Sequence, residues 1–187
     1  MKRLAAAQAL ATSLHSGQFR KGTSIPYISH LMSVSALVME FGGDEDQAIA
    51  GLLHDALEDA GIEHAPTIQE SFGERVLRIV EGCTDGVPDA SGRKADWHER
   101  KRQYLAHLDE TDADTLLVSG CDKLHNARAI LLDLRSIGPE VFSRFTAGKE
   151  GTLWYYQGLS AIFSRRLPGA LADELARTIQ AITMEAE

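Results

Sequence analysis

Residues 52–59 are Leu-Leu-His-Asp-Ala-Leu-Glu-Asp. Leu52, Leu53 and Leu57 recur at the one- and four-residue spacing of a buried helical stripe rather than at the alternation of a strand. On a helix turning about 100° per residue, His54 falls about 40° from Glu58 and Asp55 about 40° from Asp59, so all four share a sector of roughly 140°. The spacing therefore predicts one helix with an apolar stripe and a polar face bearing a histidine and three carboxylates. A solvated face is the ordinary explanation for such a quartet, but here leucines bury the same turn. On this stretch alone two readings stay open: a metal site, because imidazole and carboxylate suit first-row divalent ions, and a buried polar network.

Working outward, the three- and four-residue apolar spacing continues through almost the whole chain, and no run alternates strictly over four to eight residues. The class is all-α, a bundle of roughly ten helices expected at 3–15, 29–41, 45–59, 67–72, 74–84, 97–108, 112–134, 139–145, 148–166 and 168–184. Gly42-Gly43 ends one helix, and Asp44 with Gln47 three residues on predicts a capping box for the next. Residues 85–93 (DGVPDASGR) form the clearest loop. A second loop, QFRKGTSIP at 18–26, is polar and basic; it can present Arg20 and Lys21 to an anion or be a solvated turn.

With 187 residues and 44% hydrophobic content, one sizeable core is expected, and 1–187 is read as a single domain. Apolar runs such as 50–53 fall far short of the ~20 residues that cross a bilayer, so no membrane span is expected. The N-terminus has basic then small apolar residues like a secretory signal, but Gln8, Ser13 and His15 interrupt it with the period of an amphipathic helix. Cys83 and Cys121 lack metal-knuckle spacing, which fits free thiols in a reducing cytoplasm. A net charge of −8 argues against a nucleic-acid partner, since duplex affinity comes from neutralising phosphates with a basic face. It leaves room for a small nucleotide held by a few local cations.

Further metal ligands must come from other helices. His30 opens the apolar helix LMSVSALVMEF, and Asp122 lies inside LLVSGCDKLHNARAILL, apolar enough for a central helix. Singly, His30 reads as a helix-end ring and Asp122 as a structural partner of Lys123 or Arg128. Together, His30, His54, Asp55 and Asp122 make a ligand set, because a carboxylate inside a core helix calls for a cation or a network. Asn126 follows Asp122 by one turn and shares its face.

The order His, His-Asp, distant Asp resembles the HD superfamily of metal-dependent phosphohydrolases. More narrowly, His15-Ser16-Gly17-Gln18 with Arg20-Lys21, then Pro26-Tyr27-Ile28-Ser29-His30, LLHDALED, Glu81-Gly82-Cys83-Thr84-Asp85 and Asp122-Lys123-Leu124-His125-Asn126 resemble the hydrolase domain of RelA/SpoT proteins and the stand-alone small alarmone hydrolases, over residues 8 to about 165. The resemblance implies an HD-domain helical bundle around a single divalent ion, manganese, and hydrolysis of the 3′-pyrophosphate of ppGpp-like nucleotides. It implies His30, His54, Asp55 and Asp122 as metal ligands and Glu58 with Asp59 as the catalytic acidic pair. Arg20, Lys21, Lys101, Asn126 and Tyr155 are implied as substrate contacts, with Arg100 and Arg102 as alternatives to Lys101 and the neighbouring rings of 154–156 as alternatives to Tyr155. Apart from the resemblance, His125 can reach the phosphate or support the site by packing behind it, the second being the expectation, and His15 is expected to brace the loop against the first helix.

There are departures. The loop from Lys21 to His30 is one residue longer than in the long bifunctional enzymes, and Ser119 stands where the family's KLAD has its lysine. The longer loop, the GCTD stretch and the GTLWYY segment are closer to the short bacterial hydrolases, some of which prefer adenosine alarmones. Another nucleotide as substrate, or a non-catalytic nucleotide sensor, are the competing readings; loss of Glu58 or Asp59 would mark the sensor, and both are present.

Overall fold

The computed structural model describes residues 2–85 and 96–187. The loop expected at 85–93 therefore lies, from residue 86 on, outside the described residues. Among them the chain is all-helical: α1 (Lys2–Leu14), α2 (Ile28–Glu40), α3 (Glu45–Leu53), α4 (Ala65–Phe72), α5 (Glu74–Cys83), α6 (Trp97–Glu110), α7 (Ala113–Ile137), α8 (Gly148–Arg166) and α9 (Ala170–Glu185). The only β-type pairing among them is an isolated bridge, Phe19 to Pro26, which closes the basic loop on itself.

Helix ends follow the chemistry of the sequence. The capping box forms as expected: Asp44 Oδ1 accepts from the Gln47 N–H at 3.0 Å, and Gln47 Oε1 accepts from the Asp44 N–H at 2.9 Å. Gly42, at φ 87, supplies the left-handed step that ends α2. Asp96 and Asp112 cap α6 and α7 through their side chains.

Two expectations need correction. The helix read at 45–59 is not continuous: α3 stops at Leu53, and Ala56–Ala60 winds as a π turn in which the Gly61 N–H reaches back to the Ala56 carbonyl at 3.2 Å. Leucine spacing alone does not distinguish the two windings, because Leu52, Leu53 and Leu57 are buried either way. The segment read as a helix at 139–145 is a 3₁₀ turn, Gly138–Arg144.

The long α7 is the hub, packing against α2, α3, α5, α8 and α9. Its buried positions include Leu116, Val118, Cys121 and Leu124, so Asp122 is carried into the core on the same helix. Against it, α2 and α3 cross closely. A Cβ on Gly51 would lie 3.1 Å from the Ser35 Cα and 3.3 Å from its N, so only glycine lets the backbones meet this tightly. Ser35 Oγ donates to the Ala48 carbonyl at 2.8 Å across the same crossing. Cys83 and Cys121 are buried free thiols. Among the described residues no helix is long and apolar enough to cross a membrane.

Candidate metal centre and active site

Where α2, the end of α3 and the middle of α7 meet, His30, His54 and Asp122 bring ligand atoms within 4.8 Å of one another. His30 Nε2 lies 3.1 Å from Asp122 Oδ1 and 3.7 Å from Asp55 Oδ2; His54 Nε2 lies 3.0 Å from Asp55 Oδ2 and 3.5 Å from Asp122 Oδ1. All four residues expected as ligands are thus together. His30 Nε2 and His54 Nε2 are completely buried, and each meets a carboxylate oxygen, of Asp122 at 3.1 Å and of Asp55 at 3.0 Å, without the alignment of a hydrogen bond. Buried polar atoms are seldom left so. Two imidazole nitrogens and the Asp122 carboxylate within 4.8 Å of one another, with the Asp55 carboxylate beside His54, fit a divalent first-row ion.

The other side of each ligand is held. His54 Nδ1 donates to the Gly51 carbonyl at 2.9 Å, leaving Nε2 to face the cluster. His30 Nδ1 meets His125 Nδ1 at 2.8 Å. Burial, His30 and Arg20 lower the His125 pKa to about 4, so this ring is neutral and can accept from His30. Tyr27 donates to Asp55 Oδ2 at 2.6 Å. Lys123 donates to Asp122 Oδ2 at 2.6 Å and Asn126 to Oδ1 at 2.6 Å. Of the two partners weighed for Asp122, Lys123 is the one it meets; Arg128 instead pairs with Glu174.

Burial opposes charge on every member of the cluster. For His54 the adjacent carboxylates outweigh it and hold the ring's pKa well above the ordinary value, whereas for His30 burial prevails and its pKa falls. The Asp55 carboxyl is held low against burial by His54, and Asp122 by Lys123 and His30.

The cluster opens into a cavity of about 710 Å³. Asp55, Glu58, Asp59 and Asp122 line it, as do all the expected substrate residues, Arg20, Lys21, Lys101, Asn126 and Tyr155; His30 and His54 lie behind the wall. The π turn splits the expected polar face. His54 and Asp55 turn to the cluster, Glu58 Oε2 accepts from the Asp85 N–H at 3.3 Å, and exposed Asp59 accepts from Gln18 Nε2 at 2.8 Å. Gln18 is in turn fixed by His15, whose Nδ1 must donate to Gln18 Oε1 at 2.6 Å because an amide oxygen only accepts. The His15 ring stacks on Tyr27 at 5.3 Å. The HSGQ motif thus braces the loop and aims Asp59.

On the basic loop, Arg20 donates to Asn126 Oδ1 at 2.6 Å and lies over the Tyr27 ring. Of the three cations at 100–102, Lys101 and Arg100 face the cavity, and exposed Arg102 pairs with Glu99. Of the three rings at 154–156, Tyr155 and Tyr156 line the cavity; the Lys101 ammonium sits 4.7 Å from the Tyr155 ring centroid, while Trp154 points outward. Ser119, at the place of the missing lysine, shares a hydrogen bond with Tyr104 at 2.7 Å. Gln18 and Tyr27 lie in motifs quoted from the sequence but were given no role there, and Trp97, which lines the cavity, stands outside every motif.

A helical bundle that gathers two histidines and two aspartates from three separate elements beneath a cation-lined cavity defines a helical metal-site protein. The model of the HD domain matches residues 7–153, and the chain belongs to the HD domain family. The family implies a divalent metal, for which His30, His54 and Asp122 form a possible site. The chain is 35% identical over 122 residues to a probable guanosine-3′,5′-bis(diphosphate) 3′-pyrophosphohydrolase of Synechocystis, and 34% identical over 118 residues to a guanosine-3′,5′-bis(diphosphate) 3′-pyrophosphohydrolase of Borreliella burgdorferi. These matches cover 64% and 63% of this chain but only 16% and 17% of the relatives, which are far longer. A solved structure described as a metazoan ortholog of SpoT that hydrolyzes ppGpp and plays a role in starvation responses matches at TM-score 0.76 and 22% identity, over 96% of this chain and 95% of that one; this likeness shows the all-helical fold. A Listeria monocytogenes protein matches at TM-score 0.71 and 27% identity, over 83% of this chain and 99% of that one.

Proposed function

We propose that this chain is a divalent-metal-dependent pyrophosphohydrolase that removes the 3′-pyrophosphate of ppGpp- or ppApp-like alarmone nucleotides, with manganese as the ion. The observation that carries the reading is the convergence of the buried Nε2 atoms of His30 and His54 on the carboxylates of Asp55 and Asp122, at the floor of a cavity whose walls hold Arg20, Lys21 and Lys101. The pyrophosphohydrolase relatives supply the substrate class.

His30, His54, Asp55 and Asp122 would hold the ion, which when bound supplies a water acidified toward neutral pH. With Nε2 of His30 given to the ion, its Nδ1–H donates to His125. Glu58 and Asp59, at the rim beside Asp55, orient the attacking water and take or return its proton. Arg20, Lys21 and Lys101 offset charge developing on the pyrophosphate. Asn126 ties Arg20 to Asp122, and Tyr155 offers a ring to the nucleoside. We read 1–187 as a single HD domain acting on a small nucleotide, and its two buried thiols fit a reducing cytoplasm.

The test is to incubate manganese-loaded protein with ppGpp and ppApp in parallel and resolve products by ion-exchange chromatography. Pyrophosphate released with GDP or ADP is expected and fixes the base preference. No turnover of either nucleotide, with metal bound, overturns the proposal.

A further inference from the structure

The motif Glu81-Gly82-Cys83-Thr84-Asp85 closes α5 and runs two residues past its end, and the mechanism above leaves it without a task. Its geometry is specific. Thr84 leaves the helix in an extended conformation, while its Oγ1 donates back to the Val80 carbonyl at 3.0 Å, so the next residue turns toward the cavity. Asp85 is buried there, 7% exposed, and lines the cavity wall. Its Oδ2 accepts from the Lys101 ammonium on α6, its carbonyl accepts from Arg100 Nη1 at 3.3 Å, and its N–H donates to Glu58 Oε2 at 3.3 Å.

We propose that Asp85 is a positioning residue for the hydrolytic site: its carboxylate fixes Lys101 and its backbone N–H fixes Glu58, so one residue sets the distance between a phosphate-binding cation and an acidic group beside the ligands. The inference rests on the hydrolase reading for its kinetic consequence, but the pairing of Asp85 with Lys101 stands apart from it. A buried ammonium without a counter-ion is costly. Lys101 lies by the Tyr155 ring of α8 and the Tyr104 ring of its own helix, meets the Asp85 carboxylate, and feels the charges of Lys123 on α7 and of Glu58. Burial and Lys123 pull its pKa below that of an ordinary lysine, and Asp85 and Glu58 oppose the fall. Without Asp85 the lysine is both looser and more readily deprotonated.

The experiment compares the metal-loaded wild-type chain with Asp85→Asn, Lys101→Met and the double variant. If Asp85 acts through Lys101, each single change lowers kcat/KM about tenfold, and the double variant is no worse than the worse single one. Losses that multiply in the double variant overturn the proposal. A second readout needs no turnover: acetic anhydride labelling at pH 8, followed by peptide mass spectrometry with Lys2 as internal reference. Asp85→Asn should label Lys101 about tenfold faster, while Asp85→Glu, which keeps the charge, should stay slow. Where the amide is not tolerated by the fold, Asp85→Ser carries the same contrast. Unchanged labelling overturns the pairing whatever the protein hydrolyses. Faster labelling in a chain whose wild type turns over neither alarmone leaves the pairing standing and overturns the substrate reading alone.

Discussion

At the scale of single residues, the cavity separates groups that hold from groups that act. Asp55 and Asp122 face two histidines within 4 Å, whereas Glu58 and Asp59 are fixed by the Asp85 N–H and the Gln18 amide. Glu58→Gln and Asp59→Asn should therefore lower kcat by about 10²–10⁴-fold, the usual range for general acid–base work, with metal content by elemental analysis unchanged. Loss of metal from either variant would make it a ligand instead. His125 belongs to the holding set, because it is the partner of His30 Nδ1. His125→Phe keeps a ring but removes the acceptor, and manganese affinity by titration calorimetry should fall about 10- to 100-fold. An affinity equal to wild type would show that His30 is oriented without it.

At the scale of elements, the site depends on how closely α2 and α3 approach, and Gly51 sets that distance. Gly51→Ala brings two opposed terms. Helix propensity favours alanine by about 1 kcal/mol, while overpacking a tight contact costs about 1–3 kcal/mol. The atoms a Cβ would meet, Ser35 Cα and N, are backbone, so the whole of α2 must move and overpacking should win. The expected outcome is a lower Tm and weaker manganese binding, since α2 carries His30 and the Gly51 carbonyl orients His54. A Tm at or above wild type would refute the close-approach argument. A second inter-element tie is Arg75 on α5, which bonds Asp44 at the start of α3 and Asp114 in the first turn of α7. Arg75 holds both carboxyls below the usual value. As pH falls the unfolded chain takes up protons first, so the network's contribution is full above about pH 4 and is lost through the lower folded values. The pairs are partly exposed and worth about 1 kcal/mol or less. Arg75→Met should cost that much by urea titration at pH 7 and flatten stability against pH below 4; a parallel acid limb would show that Arg75 is not the cause.

The same scale shows what could be read before folding. Most helices were legible because their ends carry chemical marks, such as Asp44 with Gln47 and Gly42 with Gly43. The π turn was not, because its one leucine, Leu57, keeps the apolar spacing set by Leu52 and Leu53 of α3. The four clustered residues were legible because histidine and aspartate are out of place in apolar helices. The parts played by Tyr27, Gln18 and Trp97 were not, even though the first two lie in quoted motifs, because those parts come from the packing of distant segments and no spacing rule reports that.

At the scale of the whole molecule, residues 30, 54–55 and 122 come from α2, the end of α3 and the middle of α7, so an ion held by all of them would tie together segments remote in sequence. The unfolded chain offers no such preformed site, and binding free energy then appears as folding free energy. At free manganese 100 times the dissociation constant the gain is about 2.7 kcal/mol, and a chain of this length shifts by about 2–4 °C per kcal/mol. Scanning calorimetry should thus show Tm rising by about 5–11 °C from the chelator-treated protein to the manganese-loaded one, and continuing to climb slowly with free metal. Asp122→Asn keeps the shape of the α7 side chain but removes the charge that faces both histidines and pairs with Lys123, so the chelated Tm should fall and the metal-dependent rise above that lower value should vanish. A rise that survives the substitution would locate the ion elsewhere, and no rise in the wild-type chain would mean that the cluster is held by its own imidazole–carboxylate contacts and binds no ion under those conditions.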